Sequence, residues 1–338
     1  MGNNKKNKAK EKSIHNRTDM ALTVGAKKLH EGRQFMYEQA KKYNSQFIDS
    51  VSGYCKDEFL ENRDCPVCGC SEHINLFTKG GGRYVACKNC GMIFLNPVFT
   101  DKALENFYFN NSTTQSEVVI NESDFYERIY NKGLASLSKY ITHGTVMDVG
   151  CSSGFFLDVA KTQGWKTVGV ELNNKEAKLA QKKHKVYNAS IHKLELKEKC
   201  DVITMWDVFE HIKDGNNSLQ MLSQKYLNKG GVIFLQVPNS KSLAARVLHE
   251  KCNMFDGIEH VNLYDPNTIS LIAEKNGLNV LQIETVISEI PIIDNYLDYQ
   301  DPYFGETKHS RKILGLIDEK TLHDNLLGYK MQVILRPA

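Results

Sequence analysis

Three groups of residues in this chain have the types and spacing to do chemistry. Cys65 and Cys68 form one C-x2-C pair and Cys87 and Cys90 a second, with eighteen residues between the pairs. Two residues between cysteines let both sulfurs of a pair reach one ion, and two pairs complete a tetrahedral shell of four thiolates. The pattern predicts a zinc ribbon in which Cys65, Cys68, Cys87 and Cys90 hold a structural Zn2+. A closed shell leaves no position for a substrate, so this metal is not expected to be catalytic. Gly69 and Gly91 follow the second cysteine of each pair, where the knuckle must turn sharply, and Gly80, Gly81 and Gly82 fit the tip of a hairpin between the knuckles.

The second group begins with Asp148-Val149-Gly150-Cys151-Ser152-Ser153-Gly154, an apolar strand running into a turn of small residues and then the apolar start of a helix. Small residues let a ligand approach the backbone, and the helix start offers unpaired N–H groups. Glu171 closes the next strand, twenty-one residues after Gly150, where an acid accepts hydrogen bonds from ribose hydroxyls. Asp148, just ahead of the turn, suits a ligand with a cationic amino acid end better than a pyrophosphate.

The third group follows the strand Asp201–Trp206: Asp207, Glu210 and His211, at i, i+3 and i+4. On one helical face, two carboxylates and an imidazole could hold Mg2+ or a similar cation. The competing reading is a helix N-terminus whose acids favour its dipole. His211 is also a candidate general base, as is His260 in the polar-aromatic stretch Glu259–Tyr264, because histidine titrates near neutrality. Each has a bland alternative as a hydrogen-bonded structural histidine.

These groups need elements to position them. From Thr145 to about Val286, short Val- and Ile-rich runs alternate with helical segments, which predicts a parallel sheet covered on both faces and a last strand at Gly328–Leu335. Before it, residues 99–142 read as a helical linker or cap: two helices separated by the polar Asn110–Ser116 stretch, the second capped by Ser123. Residues 61–98 are the ribbon. Residues 1–60 read as a basic tail and a helical extension, with Leu22, Leu29, Met36, Phe47, Ile48 and Val51 as its apolar stripe.

Composition sets outer limits. The 338 residues amount to about two domains, 41% of them hydrophobic and 25% charged, which excludes wholesale disorder. The longest run without a charged side chain is the twelve residues Asn89–Thr100, too short to span a membrane. The formal charge is +3, yet residues 1–12 carry +4, with five lysines against Glu11, so the remaining 326 residues sum to −1. A neutral body argues against nucleic acid as a partner. Nine cysteines and a start without a secretory or myristoylation signal point to a reducing, cytoplasmic location.

Over roughly residues 60–290 the chain resembles the class I S-adenosylmethionine-dependent methyltransferases. DVGCSSG at 148–154 is similar to their first motif D-x-G-x-G-x-G, with Ser152 in place of the middle glycine. VGVELN looks like the ribose-binding motif, CDVITMWDVFEHI the fourth-strand motif, and GGVIFLQVPN the strand that follows. CPVCGC…CKNCGMIFLNP and EHVNLYDPNTISLIAEKNGL are similar to a branch in which a zinc ribbon precedes the methyltransferase domain. The resemblance implies a doubly wound, mostly parallel seven-stranded Rossmann-like sheet at 143–338. It implies S-adenosylmethionine (SAM) lying against Gly150, Ser152 and Gly154, with its ribose on Glu171 and its sulfonium end beside Asp207. The region around Asp207 also resembles quinone-pathway O-methyltransferases that use a divalent cation. An acid that often holds the adenine is missing near Asn188–Ile191, which leaves backbone and apolar contacts for that role. Residues 288–325 match nothing in the family and read as an insertion.

The branch implies a small-molecule acceptor, a hydroxyl of a sugar or polyol in glycan or secondary metabolism. Two alternatives are an RNA or protein methyltransferase that grips its substrate with the ribbon, and an inactive scaffold that has kept the fold. Against the RNA reading stands Trp206-Asp207-Val208-Phe209 where an N/D-P-P-Y motif would be. The oligomeric state has no signature in the chain.

Overall fold

The computed structural model describes residues 40–110, 122–287 and 319–338. The basic tail, the Leu22, Leu29 and Met36 positions, most of the polar linker and the greater part of the expected insertion lie outside the described residues.

The chain enters through two short 3-10 turns, Ser45–Phe47 and Asp57–Phe59. No helix carries the stripe expected over 47–51: Phe47 is buried, but Val51 stands 94% exposed in a turn, and Ile48 pairs with Cys55 in an isolated bridge. Strand β1 (Leu60–Glu61) follows, then β2 (His73–Lys79), β3 (Gly82–Cys87), β4 (Ile93–Leu95) and β5 (Val98–Phe99), which pairs back onto β1. β2, β3 and β4 form an antiparallel meander with the glycine-rich tip at 80–81 between its first two strands. The sheet's fourth strand comes from far along the chain: β11 (Asn262–Leu263) pairs antiparallel with β4.

Two helices come next, α1 (Asp101–Asn110) and α2 (Ser123–Leu137). Ser123 is the first helical residue and not the cap; Glu122 takes that position, and its side chain does not cap the helix. The large sheet then forms from β6 (Thr145–Val149), β7 (Lys166–Val170), β8 (Lys185–Tyr187), β9 (Cys200–Trp206), β10 (Leu227–Pro238), β12 (Leu278–Val286) and β13 (Lys330–Pro337). Helices α3 (Phe155–Thr162), α4 (Asn174–Ala180), α5 (Gly215–Met221), α6 (Leu243–Leu248), α7 (Pro266–Lys275) and α8 (Glu319–Asp324) fall between and after the strands.

The strand order is β12-β13-β10-β9-β6-β7-β8. β10, β9, β6, β7 and β8 are parallel, while β13 runs antiparallel to both neighbours. The sheet is therefore mixed. The last strand is reached by a return connection from its own neighbour β12, so it enters reversed, whereas the inner strands are joined by helical crossovers that keep them parallel. The inner strands are mostly apolar because they are covered on both faces, with Asp148, Thr204 and Gln236 as buried exceptions. α2 closes on one face through Gly133, where a Cβ would stand 2.3 Å from the Trp206 ring. That ring lies among Phe234, Tyr130 and Phe156 with centroids 4.4, 4.8 and 5.1 Å away.

Ribbon and sheet share one core. Cys65, Val67, Val85, Cys87, Met92 and Phe94 pack in the same apolar cluster as Leu219, Tyr264, Ile269 and Ile272. Arg63 stitches the two together. Its guanidinium donates to the carbonyl oxygens of Leu95, Lys213 and Val261 at 3.2, 3.1 and 2.7 Å and to Asn262 Oδ1 at 2.9 Å. Burial pulls its pKa down to about 10, well short of deprotonation at neutral pH.

Candidate functional site

The four cysteines of the C-x2-C pairs come together. All four sulfurs lie within 4.8 Å of one another, with Cys65–Cys90 and Cys68–Cys87 Sγ distances of 3.5 Å. Each knuckle is closed by a backbone bond, Gly69 N–H to the Cys65 carbonyl and Gly91 N–H to the Cys87 carbonyl, and both glycines sit at positive φ (77° and 76°). The donor set fits one tetrahedral ion. Cys70 stands outside it, with its sulfur toward the Glu72 carbonyl.

The turn after β6 lies at the carboxyl ends of β6 and β7, the edge where ligands bind in open α/β sheets. Gly150 and Cys151 N–H groups both donate to the Val170 carbonyl, which folds the turn back onto β7. Gly150 is at φ 75°, and a Cβ there would meet Val208 Cγ2 at 2.5 Å. Ser152, at the place of the motif's middle glycine, is also left-handed (φ 47°). Its N–H donates to Glu171 Oε2 at 2.8 Å and its hydroxyl to Glu176 Oε2 at 2.9 Å. Gly154 caps α3 at φ 89°. Glu171 is thus a clamp between two turns, since its other oxygen accepts from Asn173 N–H at 2.7 Å. Burial pushes its pKa up, against the backbone N–H donors that favour the anion.

Asp148 lies beneath this turn, 2% exposed, with one hydrogen bond from Thr204 Oγ1 at 2.7 Å. Burial, with some repulsion from Glu171, pushes its carboxyl up to about 8. An acid in that condition invites a cation. Beside Glu171, Asn188 Nδ2 donates to the carbonyl oxygens of Glu171 and Leu172, and Ile191 is buried.

Asp207 ends β9 at φ 55°. One oxygen is ion-paired with Lys330 from β13 and accepts from Gln236 Nε2 at 3.1 Å; the other, buried, has no partner, and neither does Trp206 Nε1. After it comes a 3-10 turn, Phe209–His211, and not an α-helical face. The expected cation trio of Asp207, Glu210 and His211 does not assemble. Asp207 is turned to Lys330, and the residues brought together are Glu210, His211 and His260, each offering a ligand atom within 4.8 Å of the others.

The two candidate bases are therefore neighbours, with ring centroids 4.8 Å apart. His211 Nδ1 is 2.9 Å from the Glu259 carbonyl and 3.0 Å from Tyr108 Oη. Burial, reinforced by His260, lowers its pKa to about 4, so the ring is neutral at pH 7. His260 Nδ1 is 2.6 Å from the Met254 carbonyl and 3.4 Å from Asp256 Oδ2. Asp256 also accepts the backbone N–H groups of Ile258, Glu259 and His260, which fixes the loop carrying the ring. Tyr108, Asp256, Thr204 and Lys330 were not legible as site residues. Only Tyr108, a polar aromatic on the buried side of α1, left any local signal.

The site thus sits on a doubly wound α/β sheet with a small-residue first turn, an acid closing the second strand and polar groups beyond the fourth. Residues 124–283, a little under half of the chain, match the family model for a methyltransferase domain. Similar solved structures include a SAM-dependent methyltransferase from Archaeoglobus fulgidus (18% identity, 64% of this chain and 97% of that one, TM-score 0.44). Others are the plantazolicin methyltransferase BpumL in complex with SAH (14%, 69% and 93%, 0.46) and a complex of the Haloferax volcanii Trm112 methyltransferase activator with its putative methyltransferase (13%, 70% and 98%, 0.49). At these identities the likeness says nothing of the acceptor. No curated protein matches the chain. Among the described residues no helix is long and apolar enough to cross a membrane.

Proposed function

We propose that the protein is a SAM-dependent methyltransferase acting on a hydroxyl of a small, sugar-like or polyol acceptor. The observation that carries this reading is the convergence of the Asp148 and Glu171 carboxylates on the Gly150–Gly154 turn, at the carboxyl edge of the parallel strands. Glu171 is placed to accept from ribose hydroxyls and Asp148 to face the cationic amino acid end, with Gly150, Ser152 and Gly154 giving the ligand access to the backbone. Asp207, held by Lys330, borders the sulfonium end.

SAM supplies an electrophilic methyl group, and displacement at it is in line, so the protein's work is positioning and handling the acceptor's proton. His211 and His260 mark the acceptor end. Both rings have Nδ1 on a carbonyl oxygen and so carry a bare Nε2, the atom available to engage a reacting hydroxyl. Cys65, Cys68, Cys87 and Cys90 are proposed to hold structural Zn2+, with 61–98 as a ribbon unit, 99–142 as a cap and 143–338 as the catalytic unit. The nine cysteines form no disulfide, which suits a reducing cytoplasm.

The test is incubation with methyl-labelled SAM and separate pools of small metabolites, RNA and protein. Label in the small-molecule pool, lost in His260→Ala and His211→Ala while both still bind S-adenosylhomocysteine, is the expected result. Label in RNA or protein overturns the acceptor. Failure to bind SAM at all makes the chain a scaffold.

A further inference from the structure

Asp207 is held by a polar ladder that crosses an otherwise apolar sheet. Gln332 on β13 and Gln236 on β10 are direct cross-strand partners, and both are buried. Gln332 Nε2 donates to Gln236 Oε1 at 3.0 Å, and Gln236 Nε2 donates to Asp207 Oδ2 at 3.1 Å. The same oxygen is ion-paired with Lys330, the first residue of β13. Burying amides is costly unless they are hydrogen-bonded, and apolar side chains would fill the same positions at lower cost. What the ladder produces is a carboxylate gripped through Oδ2, with Oδ1 buried and without a partner. Asp207 also sits at φ 55°, which a residue with a side chain keeps only where its surroundings fix it. Its place is beside the first turn. β9 is the parallel neighbour of β6, and Val208, the next residue, would stand 2.5 Å from a Cβ at Gly150. Burial first, then the charges of Asp148, Tyr126 and Asp207, raise the Tyr130 hydroxyl, so both aspartates border one ring. Lys330 is the counter-charge at this edge. Burial opposes its charged form, but Asp207, Tyr126 and Glu210 outweigh burial and raise its pKa, so it is an ammonium at pH 7.

We infer that Lys330 is a positioning residue of the cofactor site: with Gln236 it holds Asp207 through one oxygen, leaves the other for the positive charge of SAM, and limits that attraction with its own ammonium. This rests on the reading of the Gly150–Gly154 turn as a SAM site with Asp207 at its sulfonium end. A carboxylate alone there would hold the reactant too well. The sulfonium charge vanishes on methyl transfer, so an unbalanced anion stabilises the bound reactant more than the transition state and slows the reaction. A carboxylate paired through its far oxygen keeps its orientation and loses part of its field. The side chains of Lys330 and Asp207 are 21% and 27% exposed, so water screens the pair only in part. Asp207 therefore favours SAM, which carries the charge, over S-adenosylhomocysteine, which lacks it, and Lys330 reduces that preference.

The experiment measures dissociation constants of SAM and of S-adenosylhomocysteine for the full chain by calorimetry, at one pH and one salt concentration. The parent is compared with Lys330→Gln, Lys330→Arg and Asp207→Asn, and circular dichroism checks that each is folded. Lys330→Gln keeps a donor for Asp207 and removes the charge, and should raise the preference for SAM at least about fivefold. Asp207→Asn should lower it at least about fivefold, as expected for one unit charge within about 10 Å in a partly dry site. Lys330→Arg keeps the charge and should leave the preference within about twofold. A merely structural ion pair would move both affinities together. An unchanged preference in Lys330→Gln or in Asp207→Asn, or a fall in Lys330→Gln, therefore overturns the inference and leaves the methyltransferase reading standing. If Lys330→Gln does not fold, Asp207→Asn decides by the same criterion. A parent that binds neither ligand sinks the methyltransferase reading and the inference with it.

Discussion

Asp148→Asn should make the protein more stable and a worse enzyme. The carboxyl of Asp148 is buried with only Thr204 as a donor, and its pKa rises to about 8 from an ordinary 3.8. The folded state therefore binds this proton more tightly than the unfolded state does. Stability from this group is fully present below the unfolded pKa and is lost as pH rises from about 4 to about 8. Asparagine copies the protonated shape and keeps an oxygen for the Thr204 hydroxyl, so the variant escapes the loss. At 1.36 kcal/mol per pKa unit the gain is about 2 kcal/mol at pH 5, about 4 kcal/mol at pH 7, and levels off near 5–6 kcal/mol above pH 8. Urea denaturation of parent and variant at pH 5, 7 and 8.5 reads this directly. The same substitution should weaken SAM binding at least about tenfold, because the ligand's cationic end loses its counter-ion. Binding to the parent at pH 7 should release close to one proton, seen as a dependence of the calorimetric enthalpy on the buffer. A stability gain that does not change with pH, or an unaltered affinity, would refute the reasoning.

Other substitutions test the frame around that site. Cys87→Ser, or a strong chelator, should cost several kcal/mol and lower the melting temperature of the whole chain in one transition, since the ribbon's core is continuous with that of the sheet. A separate low-temperature step for the ribbon alone would contradict this. Gly150→Ala combines φ 75° with a contact at 2.5 Å to Val208 and should cost about 1–3 kcal/mol. Val208→Ala in the same chain should recover the steric part and not the backbone part, as urea midpoints would show. Arg63→Met removes the guanidinium's four buried hydrogen bonds and should cost about 3 kcal/mol by denaturant titration, more than any surface arginine. It takes the side-chain donor from the Leu95 carbonyl, while Val261 and Lys213 keep Leu95 N–H and Asn262 Nδ2.

The central strands of the large sheet were legible because burial on both faces makes them short, mostly apolar runs, whereas the small-residue turn after β6 is shared with dinucleotide-binding folds and needed Glu171 and Asp148 to sharpen it. The four-cysteine cluster was legible because two knuckles need only local spacing. What could not be read are the meetings at long range. His211 and His260 are forty-nine residues apart and share one site, and Tyr108 reaches His211 from a helix the chain formed a hundred residues earlier. Nothing in two residues of Asn262–Leu263 announces a strand of the ribbon's sheet. The cation trio failed for a local reason. The i, i+3, i+4 rule holds on an α-helix, whereas Asp207 is left-handed and the residues after it turn as a 3-10 helix. The stripe through Val51 failed likewise, because its spacing was loose enough to fit a turn.

The late arrival of β11 has a consequence during synthesis. Both knuckles can close as soon as Gly91 has left the ribosome, but the outer edge of β4 stays unpaired until Leu263 has been made, about 170 residues later. At roughly 5–20 residues per second that is some ten to thirty seconds in which Ile93, Phe94 and Leu95 present an apolar strand edge. Such an edge is a template for pairing with another chain. The hazard of this architecture lies in the nascent protein, and crowded polysomes or slow translation between residues 95 and 263 would lengthen it.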